Sequence, residues 1–280
     1  MELSTRHLVL DADSAVDMQL HTTYSDGTWT PEQLMDYLVA EGFGLVAITD
    51  HDRVDSAADL QALAAKKQLP LLVAAEMSTS WRGQYVDVLC FGFDPDHSAI
   101  RSMTRNIRQG QNENTQRVYD YLRKRSYLQT GMGNLSPEAS LQAILEKPAT
   151  RHPHEMVAWL RQIHPDKDGL SIWNLHREAG GVFATNPIAQ LVDAVHASSG
   201  VCLIAHPGRG EFYPVFDANL LDEVRREAAL DGFEAYYPMH TPAQSAMYVA
   251  YAERYNLLTS SGSDSHGANR NPIKYPAGHS

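Results

Sequence analysis

With 280 residues, 43% of them hydrophobic and 20% charged, the chain is long enough to bury a large core, and its composition is globular rather than disordered. A formal net charge of −11 argues against a broad basic surface for duplex DNA, while leaving room for a local cationic pocket. Cys90 and Cys202 lie in apolar strand-like runs and read as buried thiols of a reducing, cytoplasmic compartment; MELSTRHLVLDADSA lacks the apolar core of a secretory signal, and no apolar run is long enough for a membrane span.

Residues 17–22 (DMQLHT) predict a short strand. A helix follows over 30–42, with Thr30 as N-cap, Pro31 in the first turn, Leu34 and Leu38 one turn apart, and Gly42 to end it. LVAITD (45–50) reads as a buried strand, 55–68 as an Ala-rich helix, and 69–78 and 85–93 as two further strands. From 94 to 185 the alternation stops and the chain turns polar and mainly helical. Helices are expected over 101–126 (as one or two), 136–147 with Ser136 as cap, 154–163 and 171–180. We read this segment as a helical insertion or cap between two halves of one domain, 12–93 and 186–280. The alternation resumes with helix 186–200, strand 201–208, helix 220–232, strand 233–238, helix 241–256 and a strand end at 257–267. Such a rhythm predicts an α/β fold with a parallel sheet or barrel. Only fourteen residues follow His266, so a last barrel helix is expected to be short or missing.

The strand ends carry the chemistry. His21 and Asp26 follow the first strand, Asp50, His51 and Asp52 end the second, and Glu76 ends the third; His206 ends the resumed strand, and Asp264 and His266 the last. In α/β folds function gathers at the carboxyl ends of the strands. A His or carboxylate at each of these ends is hard to reconcile with scattered caps and turns. Imidazole and carboxylate without thiolate suit Zn, Mn or Fe. This many donors can hold two or three divalent ions, an arrangement that serves phosphoryl chemistry by generating hydroxide and stabilising the attacking and leaving oxygens.

The ordered motifs D-x-x-x-H-T-x-x-S-D-G from Asp17, A-I-T-D-H-D from Ala47, the lone Glu76, I-A-H-P-G-R from Ile204 and G-S-D-S-H-G from Gly262 resemble the PHP (polymerase and histidinol phosphatase) superfamily. They look most like its branch of nucleoside 3′,5′-bisphosphate phosphatases and 5′–3′ exoribonucleases. The resemblance implies a distorted (β/α)7 barrel with up to three metals at its C-terminal face. It implies His21, Glu76 and Asp264 as ligands of one metal, Asp26, His51 and His266 of a second, and the bridging Glu76 with His206 for a third. In R-H-P-H-E-M-V-A (151–158) it places His154 near the site, as ligand or phosphate contact.

Two positions depart from the family pattern. Gln19 stands where the family has the first His of D-x-H-x-H, and Asp87 where it has a His eleven residues beyond Glu76. A carboxylate inside an apolar strand is costly unless paired or metal-bound. Both are read as oxygen ligands, which shifts the expected metal towards Mn or Fe over Zn.

The expected function is a metal-dependent phosphoesterase that hydrolyses a phosphomonoester of a nucleotide or short oligonucleotide by metal-activated hydroxide. Asp26, His51, Glu76, His206, Asp264 and His266 are expected to carry catalysis. Arg209 and His240, at strand ends, are candidates to grip the phosphate, and Asp50 and Asp52 are expected to orient His51. Two other readings are C–N hydrolysis on the same metal barrel and a non-catalytic nucleotide-binding module with a weakened metal site.

Overall fold

The structure, a computed structural model, describes residue 5, residues 8–267 and residues 269–280. His7 and most of the first residues of the chain lie outside the described set. The first strand, β1 (Ala15–Leu20), leads to helix α1 (Pro31–Glu41), strand β2 (Leu45–Ile48) and helix α2 (Ala57–Lys67). The sequence signals at α1 operate as expected. The Thr30 side chain accepts from Gln33 N, the Gln33 side chain accepts from Thr30 N, and Gly42 closes the helix at φ 75°. Leu34, Met35 and Leu38 on its inner face pack with Leu20, Val46, Ile48 and Leu60.

The stretch 69–78, expected as one strand, is two: β3 (Leu71–Leu72) and β4 (Ala74–Trp81). Strand β3 pairs with β2, whereas β4 pairs with β5 (Gln84–Phe91). The β4–β5 pair is antiparallel, where the alternation of strands and helices predicts a parallel sheet or barrel. The reason is the connection. Only Arg82 and Gly83 join the strands, both left-handed at φ 51° and 77°, which makes a tight hairpin; a parallel pair needs a crossover of a dozen residues or more.

Helix α3 (Ser98–Lys124) is a single helix. Then come α4 (Pro137–Leu145), α5 (His152–Ile163), α6 (Gly169–Glu178), β6 (Asn186–Pro187), α7 (Ile188–Ala197), β7 (Val201–Ile204), α8 (Ala218–Glu227), β8 (Gly232–Tyr236), α9 (Pro242–Tyr255), β9 (Leu258–Ser261) and β10 (Tyr275–Pro276). After β9 the described residues form β10, antiparallel to β1, and a 3-10 turn at Ala277–His279.

The strands form two sheets, ordered β10-β1-β2-β3 and β6-β4-β5-β7-β8-β9. Single parallel bridges join them, Leu20 to Ser265 and His51 to Glu76. Strands β1, β2, β4, β5, β7, β8 and β9 therefore run round a distorted (β/α)7 barrel. Its core includes Met77, Val88, Ile204 and Phe233 from the strands, with Leu191, Leu221 and Tyr248 from α7, α8 and α9. Cys90 and Cys202 face each other across β5 and β7, both buried and unbridged. Among the described residues no helix is long and apolar enough to cross a membrane.

The chain divides into two compact units, Met1–Thr104 with Asn186–Ser280, and Arg105–Thr185. The second is helical, with Trp159, Leu122, Ile144, Leu160 and Ile172 in its core. Ser136 caps α4 through Ala139 N, as its sequence position predicts. His176 is buried there, its Nδ1 without a hydrogen-bond partner. Gly181 passes so close that a Cβ on it would meet the ring at 2.1 Å. Burial, followed by the charge of His154, pushes the His176 pKa down to about 4.

A folded pKa below the unfolded value of about 6.5 means that the unfolded chain binds the proton more readily. The stability His176 supports is complete above pH ~6.5 and is lost as pH falls through the window towards 4. Urea unfolding followed by tryptophan fluorescence at pH 7 and pH 5 is expected to show roughly 2 kcal/mol of this loss, out of roughly 3 kcal/mol over the whole window. His176→Leu should flatten the pH dependence; a variant with the wild-type slope would contradict the assignment.

Candidate metal centre

Six of the barrel strands, or the turns just beyond them, carry the candidate ligands. Gln19 lies in β1, with His21 just beyond it; His51 follows β2, Glu76 lies in β4, Asp87 in β5, His206 beyond β7, and Asp264 and His266 beyond β9. Glu76 is fully buried, and both of its oxygens are engaged. Its Oε2 meets His21 Nε2 at 3.0 Å, accepts from Gln19 Nε2 at 2.8 Å and lies 4.0 Å from His51 Nε2. Its Oε1 meets His206 Nε2 at 3.1 Å, and His206 Nε2 lies 3.9 Å from Asp87 Oδ2. His21 Nε2 is 3.3 Å from Asp264 Oδ1, and His266 Nε2 is 3.3 Å from Asp26 Oδ1. The His21 ring stacks between those of His51 and His266, with centroids at 4.6 and 4.2 Å.

Three sets of these donors lie within 4.8 Å of one another: His21, Asp26, His51 and His266; His21, Glu76 and Asp264; and His51, Glu76 and Asp87. Such convergence of buried carboxylates and imidazoles suits divalent cations. Several donors also stay unpaired. Gln19 Oε1, Asp87 Oδ1 and His51 Nδ1 are buried without a hydrogen-bond partner. A buried polar atom without a partner is costly, and a cation would relieve that cost for the oxygens. On both counts the residues fit a metal cluster.

The electrostatics carry the same sign. Burial opposes charge on His21, yet hydrogen bonds to Asp264 and Glu76 raise its pKa well above the ordinary value. Burial also opposes charge on His51, which the Glu76 and Asp26 carboxylates raise to about 9. Burial penalises the Glu76 charge, but His51, His206 and His21 hold its pKa well below the usual range. Burial, then the Glu76 charge, pushes Asp87 up to about 6. The site is a pool of negative charge that draws cations, protons among them.

The HTTYSDG loop is held by Asp50, whose carboxylate accepts from Thr22 N at 2.8 Å, Thr22 Oγ1 at 2.7 Å and Ser25 Oγ at 2.7 Å. Asp52 accepts from Ser78 N and Ser78 Oγ, both at 2.8 Å. The expectation that this pair orients the His51 ring therefore needs correcting, because Asp50 holds the loop after β1 and Asp52 holds Ser78 inside β4 instead. Asp52, His206 and Asp264 adopt left-handed backbones, at φ 53°, 32° and 52°. Each of these strained positions has its N–H anchored: Asp52 to Glu76 O, His206 to Glu234 Oε2 and Asp264 to Gln19 O.

Arg209 Nη1 lies 3.6 Å from Asp264 Oδ2. His240 uses both ring nitrogens on backbone, with Nε2 accepting from Gly208 N at 3.0 Å and Nδ1 3.2 Å from Ala235 O. His154 belongs to the helical unit, where its ring meets Trp173 edge-on at 5.4 Å and Phe183 at 6.0 Å.

The PHP domain profile matches residues 17–170, more than half of the chain. The chain belongs to the PHP domain family. A 3′,5′-nucleoside bisphosphate phosphatase from Chromobacterium violaceum is 27% identical over 255 residues, covering 90% of this chain and 87% of that protein. A 5′-3′ exoribonuclease from Haemophilus influenzae is 24% identical over 254 residues, 89% of either chain. Among solved structures, a Bifidobacterium adolescentis protein assigned as a metal-dependent phosphoesterase superimposes with a TM-score of 0.74 at 24% identity, over 93% of this chain and 91% of that one.

In this PHP chain the sequence reading overlooked four residues that touch the cluster. Glu234 is fully buried in β8 and accepts from His206 N at 3.0 Å; a carboxylate inside the apolar run FEAYYP is the same signal that singled out Asp87. Tyr213 donates to Asp87 Oδ2 at 3.0 Å and Tyr237 to Asp264 Oδ2 at 3.1 Å. Arg270 Nη1 donates to the same Asp264 oxygen at 3.0 Å. No strand-end spacing points to these last three.

Proposed function

We propose that this PHP chain is a metal-dependent phosphoesterase that hydrolyses a phosphomonoester of a nucleotide or short oligonucleotide. The observation that carries the reading is Glu76, one buried carboxylate shared among His21, His51 and His206 at the centre of the donor sets. The similarity to a nucleoside bisphosphate phosphatase and an exoribonuclease supports the nucleotide-like substrate.

His21, Asp26, His51, Glu76, Asp87, His206, Asp264 and His266 would hold two or three divalent ions, with Gln19 Oε1 as a further oxygen donor. That share of oxygen donors favours Mn or Fe. When bound, the ions would neutralise phosphate charge and activate water. The remaining work falls to the chain itself. Asp50 holds the 21–27 loop against β2, and Glu234 holds His206 in its strained backbone. Arg209, one-quarter exposed and within reach of Asp264, offers a fork to the substrate phosphate. His240, with both ring nitrogens on backbone, holds the Arg209 loop. We read 94–185 as an insertion into the barrel chain, a reading supported by the separate compact unit Arg105–Thr185. The unbridged, buried cysteines support a reducing cytoplasm.

The test is phosphate release by Mn-loaded protein from nucleoside 3′,5′-bisphosphates, nucleoside 5′-monophosphates and 5′-phosphorylated dinucleotides. Release that a chelator abolishes and Mn restores is the expected result. No release from any of them would overturn the reading, and hydrolysis of an amide panel instead would replace it with C–N chemistry.

A further inference from the structure

Asp264 has two differently employed oxygens. Its Oδ1 faces the imidazoles, 3.3 Å from His21 and 3.5 Å from His266. Its Oδ2 faces outward to Tyr237 OH at 3.1 Å, Arg270 Nη1 at 3.0 Å and Arg209 Nη1 at 3.6 Å. Two guanidiniums thus meet at one carboxylate oxygen. Both stay partly open, with side-chain exposures of 25% for Arg209 and 34% for Arg270 against 3% for Asp264.

The placement of Arg270 is built, not incidental. The chain turns back after His266, with Arg270 N donating to Gly267 O at 2.9 Å and Ser265 Oγ donating to Arg270 O. Gly267 sits at φ 134° so close to Thr28 that a Cβ there would fall 1.8 Å from Thr28 Oγ1. Arg270 Nη1 also donates to Asp264 O at 3.1 Å, which fixes the plane of the guanidinium. Both bonds to Asp264 come from Nη1, which leaves the Nε and Nη2 pair for a ligand.

Charge balance says which ligand. Asp26, Glu76, Asp87 and Asp264 supply four formal negative charges to the donor sets. Two divalent ions cancel them. Arg270, and Arg209 whose Nε also lies 3.8 Å from a Glu211 carboxylate oxygen, then add positive charge beside the ions, and a phosphomonoester carries close to two negative charges at neutral pH. A planar guanidinium is suited to bidentate phosphate binding.

We propose that Arg270 is a substrate-binding residue that, with Arg209, clamps the phosphate dianion at the Asp264 edge of the metal cluster. The proposal rests on the phosphoesterase reading of the same site. Its test uses inorganic phosphate as the probe, titrated calorimetrically into Mn-loaded wild type, Arg270→Gln and Arg270→Lys, with metal content measured on the same samples. Arg270→Gln is expected to weaken phosphate binding by about tenfold or more with metal content unchanged. Arg270→Lys keeps the charge, loses the fork, and should fall between the two.

Wild-type phosphate affinity in both variants would overturn the proposal. So would loss of ions in parallel with loss of phosphate, because Arg270 would then serve only to position Asp264. If the wild type releases no phosphate from any ester while Arg270→Gln still weakens phosphate binding, the activity reading fails and the clamp stands. If turnover is present and phosphate binding ignores Arg270, the clamp fails alone.

Discussion

Glu76→Gln is expected to lower kcat/KM for phosphate release by about a thousandfold or more, a loss of about 4 kcal/mol of transition-state stabilisation. The substitution keeps the size of the side chain and removes its charge. Glu76 has no exposed surface and no idle oxygen: Oε1 serves His206, and Oε2 serves His21, Gln19 and His51. A glutamine must turn an NH2 towards one of these sides, where it meets either a donor or the place of a cation. Kinetics with saturating Mn, run beside elemental analysis, separate lost ions from lost chemistry. Activity within tenfold of wild type would contradict the central place given to Glu76.

Gly27→Ala should be nearly as damaging, although glycine carries no chemistry. A Cβ at this position would lie 2.5 Å from His21 O, 2.6 Å from His21 C and 2.7 Å from Thr22 N, all backbone. Backbone cannot give way as a flexible side chain can, so the 21–28 loop must move. That loop carries His21 and Asp26, and Thr28 N ties it to His266 O at 2.8 Å. A displacement of about 1 Å at reacting groups can cost on the order of a hundredfold in rate. The expected result is a loss of that order in kcat/KM with reduced metal content, and a stability loss of about 1–3 kcal/mol. An unchanged far-UV circular dichroism spectrum should accompany it. Wild-type kinetics would show that the loop tolerates a methyl group and that its tight turn is not needed.

Much of the site is legible in the sequence because one rule applies repeatedly. Strands with apolar runs end at polar residues, and an α/β fold brings those ends to one edge. His21, His51, His206, Asp264 and His266 follow from that rule, whereas Glu76, expected to end the third strand, lies inside β4 near its start. Helix boundaries are equally local: Thr30 with Gln33, and Thr241 with Gln244, form reciprocal caps that any reading of spacing detects. The β4–β5 hairpin was less visible, because Arg82 is not a residue typical of a left-handed turn position. The split between β3 and β4 depends on which neighbour each half pairs with, which periodicity does not encode.

The residues around the cluster are the least legible. Tyr213 reaches Asp87 across 126 positions of sequence, and Glu234 reaches His206 across 28. Glu234 carries a local signal, a carboxylate in an apolar run, but which partner it and Tyr213 meet is set by contacts far apart in sequence. Asp50 and Asp52 show the opposite error. Adjacency to His51 suggested that they serve its ring, whereas the fold directs them to Thr22, Ser25 and Ser78.

The proposed function requires that the candidate ligands hold a working multi-metal cluster despite Gln19 and Asp87. The most direct measurement is metal content per chain, by elemental analysis of protein purified without chelator and then incubated with Mn. Two or three equivalents per chain, lost together on chelation, are expected. A chain that retains no ion after incubation with Mn would contradict the proposed function.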